Sequence, residues 1–234
     1  MTGDEHQQAD YASPPCFMHE VDQAWSGMKP LQDRTGACDV ARWRRAERER
    51  LLALRLALRG AQRADADSRI AAELLAIIDP RPGLCVGLYA PIRGEPRMRA
   101  LADAVTARGG TCALPVIIGE NQPLAYRKWH PADRLEKGFW NIPVPSAACE
   151  QVRPDVLVAP VLGFDVAGYR LGNGGGYFDR TLAVWTGSRM VIGVGYDCLS
   201  LRTIYPQPHD IPMDVIVTES GQRQDKKTKG NEKS

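Results

Sequence analysis

A chain of 234 residues that is 44% hydrophobic can bury one sizeable core, which sets the expectation at a single catalytic domain with terminal appendages. A formal charge of +2, from 30 basic and 28 acidic side chains, excludes the one-sided balance that announces a nucleic-acid or membrane-surface partner. No apolar stretch approaches the roughly 18 residues needed to span a bilayer, so no membrane insertion is expected.

Residues 1–40 mix Pro, Gly, Asp and Gln with scattered apolar residues and read as a flexible or surface-draped arm. Cys16 and His19 have Cys-x-x-His spacing without a second ligand pair, so a docking segment is expected there rather than a metal site. From 41 to about 63, Ala, Leu, Arg and Glu dominate, with no glycine before Gly60, and predict a long helix. Arg44, Arg48, Arg55 and Arg59 recur at helical spacing on one face of it, a stripe that either lines a phosphate site or, as is usual, is a solvated face. Asp67 or Ser68 is expected to open a second helix that runs through Ile78 and stops at Asp79-Pro80.

Residues 84–89 form a short, continuous apolar run, as in a strand buried on both faces. A helix over 96–108 follows, ended by Gly109-Gly110, and 111–118 predicts the next strand. Further strands are expected at 124–129, 156–160, 190–196 and 215–218. This alternation predicts an α/β fold: an open, doubly wound, mostly parallel sheet with helices on both faces, its ligands beyond the carboxyl ends of the strands. The catalytic domain is placed at 41–220, and residues 221–234 read as a disordered tail. Six cysteines lie far apart without a CxxC pair, and the chain starts polar and acidic. They read as reduced thiols in a cytoplasmic protein, with Cys85 and Cys112 acting as small hydrophobes in strands.

The predicted strand at 156–160 leads to Gly163-Phe164-Asp165 and then to Arg170-Leu171-Gly172-Asn173-Gly174-Gly175-Gly176-Tyr177-Phe178-Asp179-Arg180, before a helical stretch at 181–185. Glycines in such a turn let the backbone approach an anion and aim N–H groups at it from a helix start. Arg170 adds a planar cationic fork suited to phosphate, and Asp179 could hold Mg²⁺ against it. The run fits neither the G-x-x-x-x-G-K-[ST] phosphate loop nor the dinucleotide fingerprint. The glycines by themselves therefore leave two readings open, a phosphate cradle or a loop in which they only serve the turn.

The run from Gly163 through Leu182 resembles the signature of the 5-formyltetrahydrofolate cyclo-ligases, also called 5,10-methenyltetrahydrofolate synthetases. Tyr89-Ala90-Pro91-Ile92-Arg93-Gly94-Glu95, Trp140-Asn141-Ile142-Pro143, and Gln207-Pro208-His209-Asp210 ahead of Met213-Asp214-Val215 extend the resemblance to about 44–219. It implies an ATP- and Mg²⁺-dependent conversion of 5-formyltetrahydrofolate to 5,10-methenyltetrahydrofolate, with ADP and phosphate released and no side-chain nucleophile. By the same resemblance Arg170, Leu171, Gly172, Asn173, Gly174, Gly175, Gly176, Tyr177 and Phe178 surround the ATP phosphates. Asn173 to Tyr177 also face the folate, together with Glu95 and Trp140, while Asp179 and Asp210 bind magnesium. His209 is read as a loop residue, since the reaction needs no base on an alcohol. Relatives carry a lysine near the start of the first helix; here the stretch is Arg44-Arg45-Ala46-Glu47-Arg48, and Arg45 takes that ATP-binding place. Arginine keeps the charge but not the compact ammonium. The alternatives are a folate- or nucleotide-binding paralogue without ring closure and, on fold analogy, an enzyme of sugar phosphates or CoA. The expected partner is the small-molecule folate alone, bound by a monomer or a weak homodimer.

Overall fold

The computed structural model describes residues 34–185 and 189–222. The Cys16–His19 pair, most of the arm over 1–40 and nearly all of the tail over 221–234 lie outside the described residues. The chain divides into two compact units, Met1–Arg50 and Leu51–Ser234. The first helix, α1 (Arg34–Ala57), contributes to both. In the first unit its charged residues pair along the helix: Arg42 Nη2 lies 2.6 Å from Asp39 Oδ1, and Arg50 Nε lies 2.9 Å from Glu47 Oε1.

The helical boundaries differ from the sequence expectation. α1 stops at Ala57, and α2 (Gly60–Ile78) begins at Gly60, with φ of 57°, rather than at Asp67 or Ser68. The two polar side chains that looked like caps are used inside the helix. Ser68 Oγ donates to the Ala64 carbonyl four residues back at 2.9 Å, and buried Asp67 accepts the Tyr196 hydroxyl at 2.7 Å. α2 ends at Asp79 in the left-handed conformation, just before Pro80.

The strands follow as β1 (Cys85–Gly87), then α3 (Arg99–Ala107), β2 (Thr111–Ile117), β3 (Leu124–Trp129), β4 (Glu136–Lys137), β5 (Pro143–Val144), β6 (Gln151–Val152) and β7 (Val156–Pro160). After these come β8 (Gly163–Asp165), β9 (Arg170–Leu171), α4 (Tyr177–Val184), β10 (Met190–Val194), β11 (Ser200–Leu201), β12 (Val215–Thr218) and β13 (Gly221–Gln222). The main sheet has the order β13-β12-β10-β7-β1-β2-β3-β6. Its five central strands, β12 to β2, are parallel; β3 and β13 run antiparallel to them on either side, and β6 pairs antiparallel with β3 at the edge. Leu157, Val158 and Ala159 on β7 are wholly buried, as the apolar run predicted for a strand covered on both faces.

From the centre of the sheet, β1 connects through α3 to β2 in one direction, while β7 connects through α4 to β10 in the other. Parallel crossovers are right-handed, so opposite directions place α3 and α4 on opposite faces: the sheet is doubly wound. α2 packs against α3 and so shares its face. The reversal falls between β1 and β7, and a sheet of this kind opens a crevice at the carboxyl ends of such a pair. Cys85 and Cys112 pack into the strands as expected, and burial pushes both thiols up to about 11. Among the described residues, no helix is long and apolar enough to cross a membrane.

Candidate active site

A cavity of about 690 Å³ opens where β1 and β7 end. Tyr89 and Ala90 follow β1, Pro160 closes β7, and the glycine loop forms another wall. The loop is delivered by a hairpin in a small sheet, β11-β8-β9. Buried Asp165 fastens that hairpin: Oδ1 accepts the Ala167 and Tyr169 N–H groups, each at 3.1 Å, and Oδ2 accepts Ile204 N–H at 3.0 Å. Its carboxylate is thereby committed to backbone, and its part is structural. Beyond β9 the chain needs left-handed backbone at Gly174 (φ 101°) and Gly176 (φ 65°), conformations that glycine adopts without a steric cost. Gly176 stands at the N-cap of α4 and supplies no side-chain hydrogen bond, so the first N–H groups of that helix lack a side-chain acceptor. Together with the helix dipole, they are suited to an anion on the cavity wall.

Arg170 and Asp179 meet at the side of this loop. Arg170 is almost fully buried; its Nη2 lies 2.9 Å from Asp179 Oδ2, and its Nη1 donates to the Ile211 carbonyl at 3.3 Å. Burial lowers the Arg170 pKa while Asp179 opposes the shift, and an arginine stays charged under both influences. Asp179 Oδ1 in turn accepts Ile211 N–H at 3.2 Å, which ties the turn carrying Asp210 to the start of α4. Asp210 closes its own turn, accepting Gln207 N–H at 2.6 Å. The two expected metal ligands are therefore brought to one place by the hydrogen bond from the Ile211 N–H to the Asp179 carboxylate, which joins segments 32 residues apart. Among the described residues no cluster of three or more His, Cys, Asp or Glu could hold a metal ion alone. Two carboxylates suit Mg²⁺, which binds through one or two of them and fills its shell with water and substrate phosphates. His209 is an exposed loop residue, as expected, 3.8 Å from Asp210.

Across the cavity, Glu95 ends a tight turn whose central residues, Arg93 and Gly94, both have positive φ. Glu95 N–H donates to the Ile92 carbonyl at 2.9 Å, and Glu95 Oε2 accepts Ile92 N–H at 3.0 Å. Asn173 of the glycine loop donates to Glu95 Oε1 at 3.3 Å, so the two halves of the expected ligand site are in contact. Only 2% of Glu95 is exposed, and burial raises its pKa against the opposing influence of the Ile92 hydrogen bond and Arg55. Arg55, expected on a solvated stripe, is wholly buried, with Nη1 3.8 Å from Glu95 Oε1. Helical spacing showed which residues share a face, but the acid that receives Arg55 lies 40 residues on. Of the other arginines in that stripe, Arg44 is buried and Arg59 is exposed.

Trp140 stands at the cavity mouth, 64% exposed, with its ring centroid 5.9 Å from that of Tyr177 in an edge-on arrangement. Its φ of 53° is costly for a bulky side chain, a strain that the structure spends on holding an indole in solvent beside the glycine loop. Leu171 is buried beneath the loop, and Tyr177 and Phe178 line the cavity, Phe178 under the Arg170 guanidinium at 5.6 Å. Gly172, Asn173, Gly175 and Gly176 are on the same wall. Arg45 belongs to the first unit, is 84% exposed, and lies 3.7 Å from Glu49 one turn along α1.

The sequence model of the 5-formyltetrahydrofolate cyclo-ligase family matches residues 40–219. The 5-formyltetrahydrofolate cyclo-ligase of Mycolicibacterium smegmatis is 34% identical over 143 residues, covering 58% of this chain and 74% of that protein. The enzyme of the same name from Haemophilus influenzae is 27% identical over 171 residues, 70% of this chain and 91% of that one. Among solved structures, the 5,10-methenyltetrahydrofolate synthetase of Aquifex aeolicus superposes with a TM-score of 0.66 at 28% identity, covering 77% of this chain and 91% of that one. That of Mycoplasma pneumoniae shares the fold, with a TM-score of 0.63 at 23% identity over 75% and 98% of the two chains. With the family's sequence matched over residues 40–219, which hold the glycine loop and the sheet from β1 to β12, the chain belongs to the 5-formyltetrahydrofolate cyclo-ligase family.

Proposed function

We propose that this protein converts 5-formyltetrahydrofolate to 5,10-methenyltetrahydrofolate at the expense of ATP, with Mg²⁺ as cofactor and ADP and phosphate as the other products. The observation that carries the reading is the meeting of an anion-binding loop and a buried carboxylate on one cavity, with Asn173 touching both. A volume of about 690 Å³ lies within the range of sites that enclose ligands of drug size.

In this reaction the formyl oxygen attacks the γ-phosphate, and N10 then closes on the activated carbon as phosphate leaves. No protein nucleophile is involved, so the protein's work is alignment and charge. The N–H groups of the loop and the start of α4 are assigned to the ATP phosphates, with Arg170 as the fixed cation beside them. Asp179 and Asp210 would hold Mg²⁺, which, when bound, neutralises charge on the phosphate oxygens. Glu95 is assigned to the N–H groups of the pterin, for which a carboxylate is the matching acceptor. Arg45, largely exposed and 3.7 Å from Glu49 on the next turn, is assigned to ATP as well. The catalytic domain is assigned to 41–220, with 1–40 and 221–234 as appendages. The protein is assigned to the cytoplasm as a monomer or a weak homodimer, which its mass in solution tests.

The direct test is to incubate the purified protein with 5-formyltetrahydrofolate and MgATP and follow the absorbance of the methenyl product; absence of ATP-dependent product would sink the proposal. Trp140 offers a second check. Its exposure predicts that Trp140→Ala changes stability by no more than about 0.5 kcal/mol. The same substitution should raise KM for the folate several-fold while KM for ATP stays put. A drop in both affinities would instead mean that the indole supports the loop.

A further inference from the structure

We propose that Arg55 is a positioning residue for folate binding: a buried counter-charge that keeps Glu95 an anion without occupying the oxygens that the ligand needs. The inference rests on the reading of Glu95 as the folate carboxylate and concerns how that carboxylate is kept competent.

The geometry is that of a field rather than of a closed salt bridge. Arg55 is fully buried, and its Nε donates to the Arg93 carbonyl at 2.9 Å, at the centre of the turn that ends in Glu95. Among the described residues its Nη1 and Nη2 have no hydrogen-bond partner, and Nη1 stops 3.8 Å from Glu95 Oε1. Asn173 and the Ile92 N–H each already use one acceptor site on Oε1 and Oε2, and a fork–fork pair with Arg55 would take another on each. Here Glu95 keeps acceptor capacity on the cavity side, where Asn173 is its neighbour in the glycine loop. A second helix braces the same turn: Arg63 Nη2 on α2 donates to the Glu95 carbonyl at 2.9 Å.

The surroundings of Glu95 make such a counter-charge necessary. Arg55 faces it from α1, Arg63 from α2 and Arg93 from its own turn; Tyr89 lies at the end of β1, and Tyr196 and Asp67 lie behind Arg55 and Tyr89. Burial drives Glu95 towards the neutral acid, and among these charged groups Arg55 is the strongest Coulombic influence holding it ionised. A neutral acid would turn a two-oxygen acceptor into a group with one donor, which mismatches paired N–H donors on a ligand. The hydrogen bond to Arg93 alone would need no charge, so the charge itself is what the site requires.

The test compares Arg55→Met, Arg55→Lys and Glu95→Gln in pH profiles of kcat/KM for 5-formyltetrahydrofolate. Arg55→Met should cost about tenfold or more at pH 6, with the acid limb displaced to higher pH and activity recovering as the pH is raised, while KM for ATP stays unchanged. Arg55→Lys should restore most of the loss at pH 6. In a Glu95→Gln background, Arg55→Met should no longer move the acid limb. A uniform loss at all pH values, or a displacement that survives in the Glu95→Gln background, would overturn the inference. Should Arg55→Met fail to fold, Arg55→Gln removes the charge while keeping a donor for the Arg93 carbonyl, and the same outcomes apply. Titration of the Glu95 carboxyl by carbon NMR in the ligand-free protein separates this inference from the proposed function. An upward shift on loss of the Arg55 charge, in a wild type that does not turn over folate, would leave the pair standing and sink the activity. An unshifted Glu95 in an active enzyme would do the reverse.

Discussion

Asp179→Asn is expected to remove magnesium-dependent turnover, lowering kcat/KM by roughly a hundredfold to a thousandfold, as the loss of a charge-stabilising group at a phosphoryl transfer does. The structure adds a second consequence. Asp179 Oδ2 is an ion partner of Arg170, whose side chain is 3% exposed, so the substitution strands a buried cation. Breaking a fully buried pair costs about 3–5 kcal/mol. Asp179 itself is one-fifth exposed, and the asparagine oxygen can still accept Ile211 N–H, which brings the expectation down to about 1–3 kcal/mol. Magnesium titration of the activity and urea unfolding of the ligand-free protein read the two effects separately. Unaltered magnesium dependence would remove Asp179 from the metal site. Unaltered stability would mean that another acceptor replaces it beside Arg170, and Asp210, whose charge already acts on that guanidinium, is the candidate.

How much of this could be read in the sequence depended on how local the cause was. β7 and β12 matched their predicted bounds because a run buried on both faces is apolar throughout. The glycine loop was legible for a similar reason: backbone at φ of 101° or 65° selects glycine, and the selection leaves its mark residue by residue. The antiparallel sense of β3 left no such mark, since an apolar run carries no information about direction. The start of α2 was misplaced because Asp67 and Ser68 have cap chemistry, yet Asp67 is recruited by Tyr196, 129 residues away. Arg55 failed in the same manner, as its value lies in Glu95 and in a turn that only the folded chain brings to it. Asp210 was an ordinary turn residue until the resemblance promoted it. The fold then supplies the physical reason, a hydrogen bond from the Ile211 N–H to the Asp179 carboxylate. What stayed illegible is long-range pairing between charged groups, the element from which the pocket is made.

Gly172→Ala separates what the loop needs for folding from what it keeps for its ligand. A Cβ built on Gly172 meets nothing within 4 Å, and its φ lies outside the left-handed region, so alanine fits the ligand-free loop without strain. Removing a glycine from the unfolded chain should even stabilise the protein, by about 0.4–1 kcal/mol. Gly172 nevertheless lines the cavity, and the open space at that point is where a phosphate would approach the backbone. Affinity for MgATP is therefore expected to fall by roughly tenfold to a hundredfold, equivalent to about 1.4–2.7 kcal/mol, while the thermal midpoint of the free protein holds or rises. Gly176→Ala is the contrasting case. Its φ of 65° is left-handed, and its Cβ would lie 2.9 Å from Arg180 Nη1, so the cost of about 1–2 kcal/mol appears in the ligand-free protein itself. Calorimetric titration with MgATP beside thermal melts of both variants distinguishes the two. Wild-type affinity in Gly172→Ala would mean that the phosphates bind elsewhere on the loop and that the open space beside Gly172 serves the folate instead.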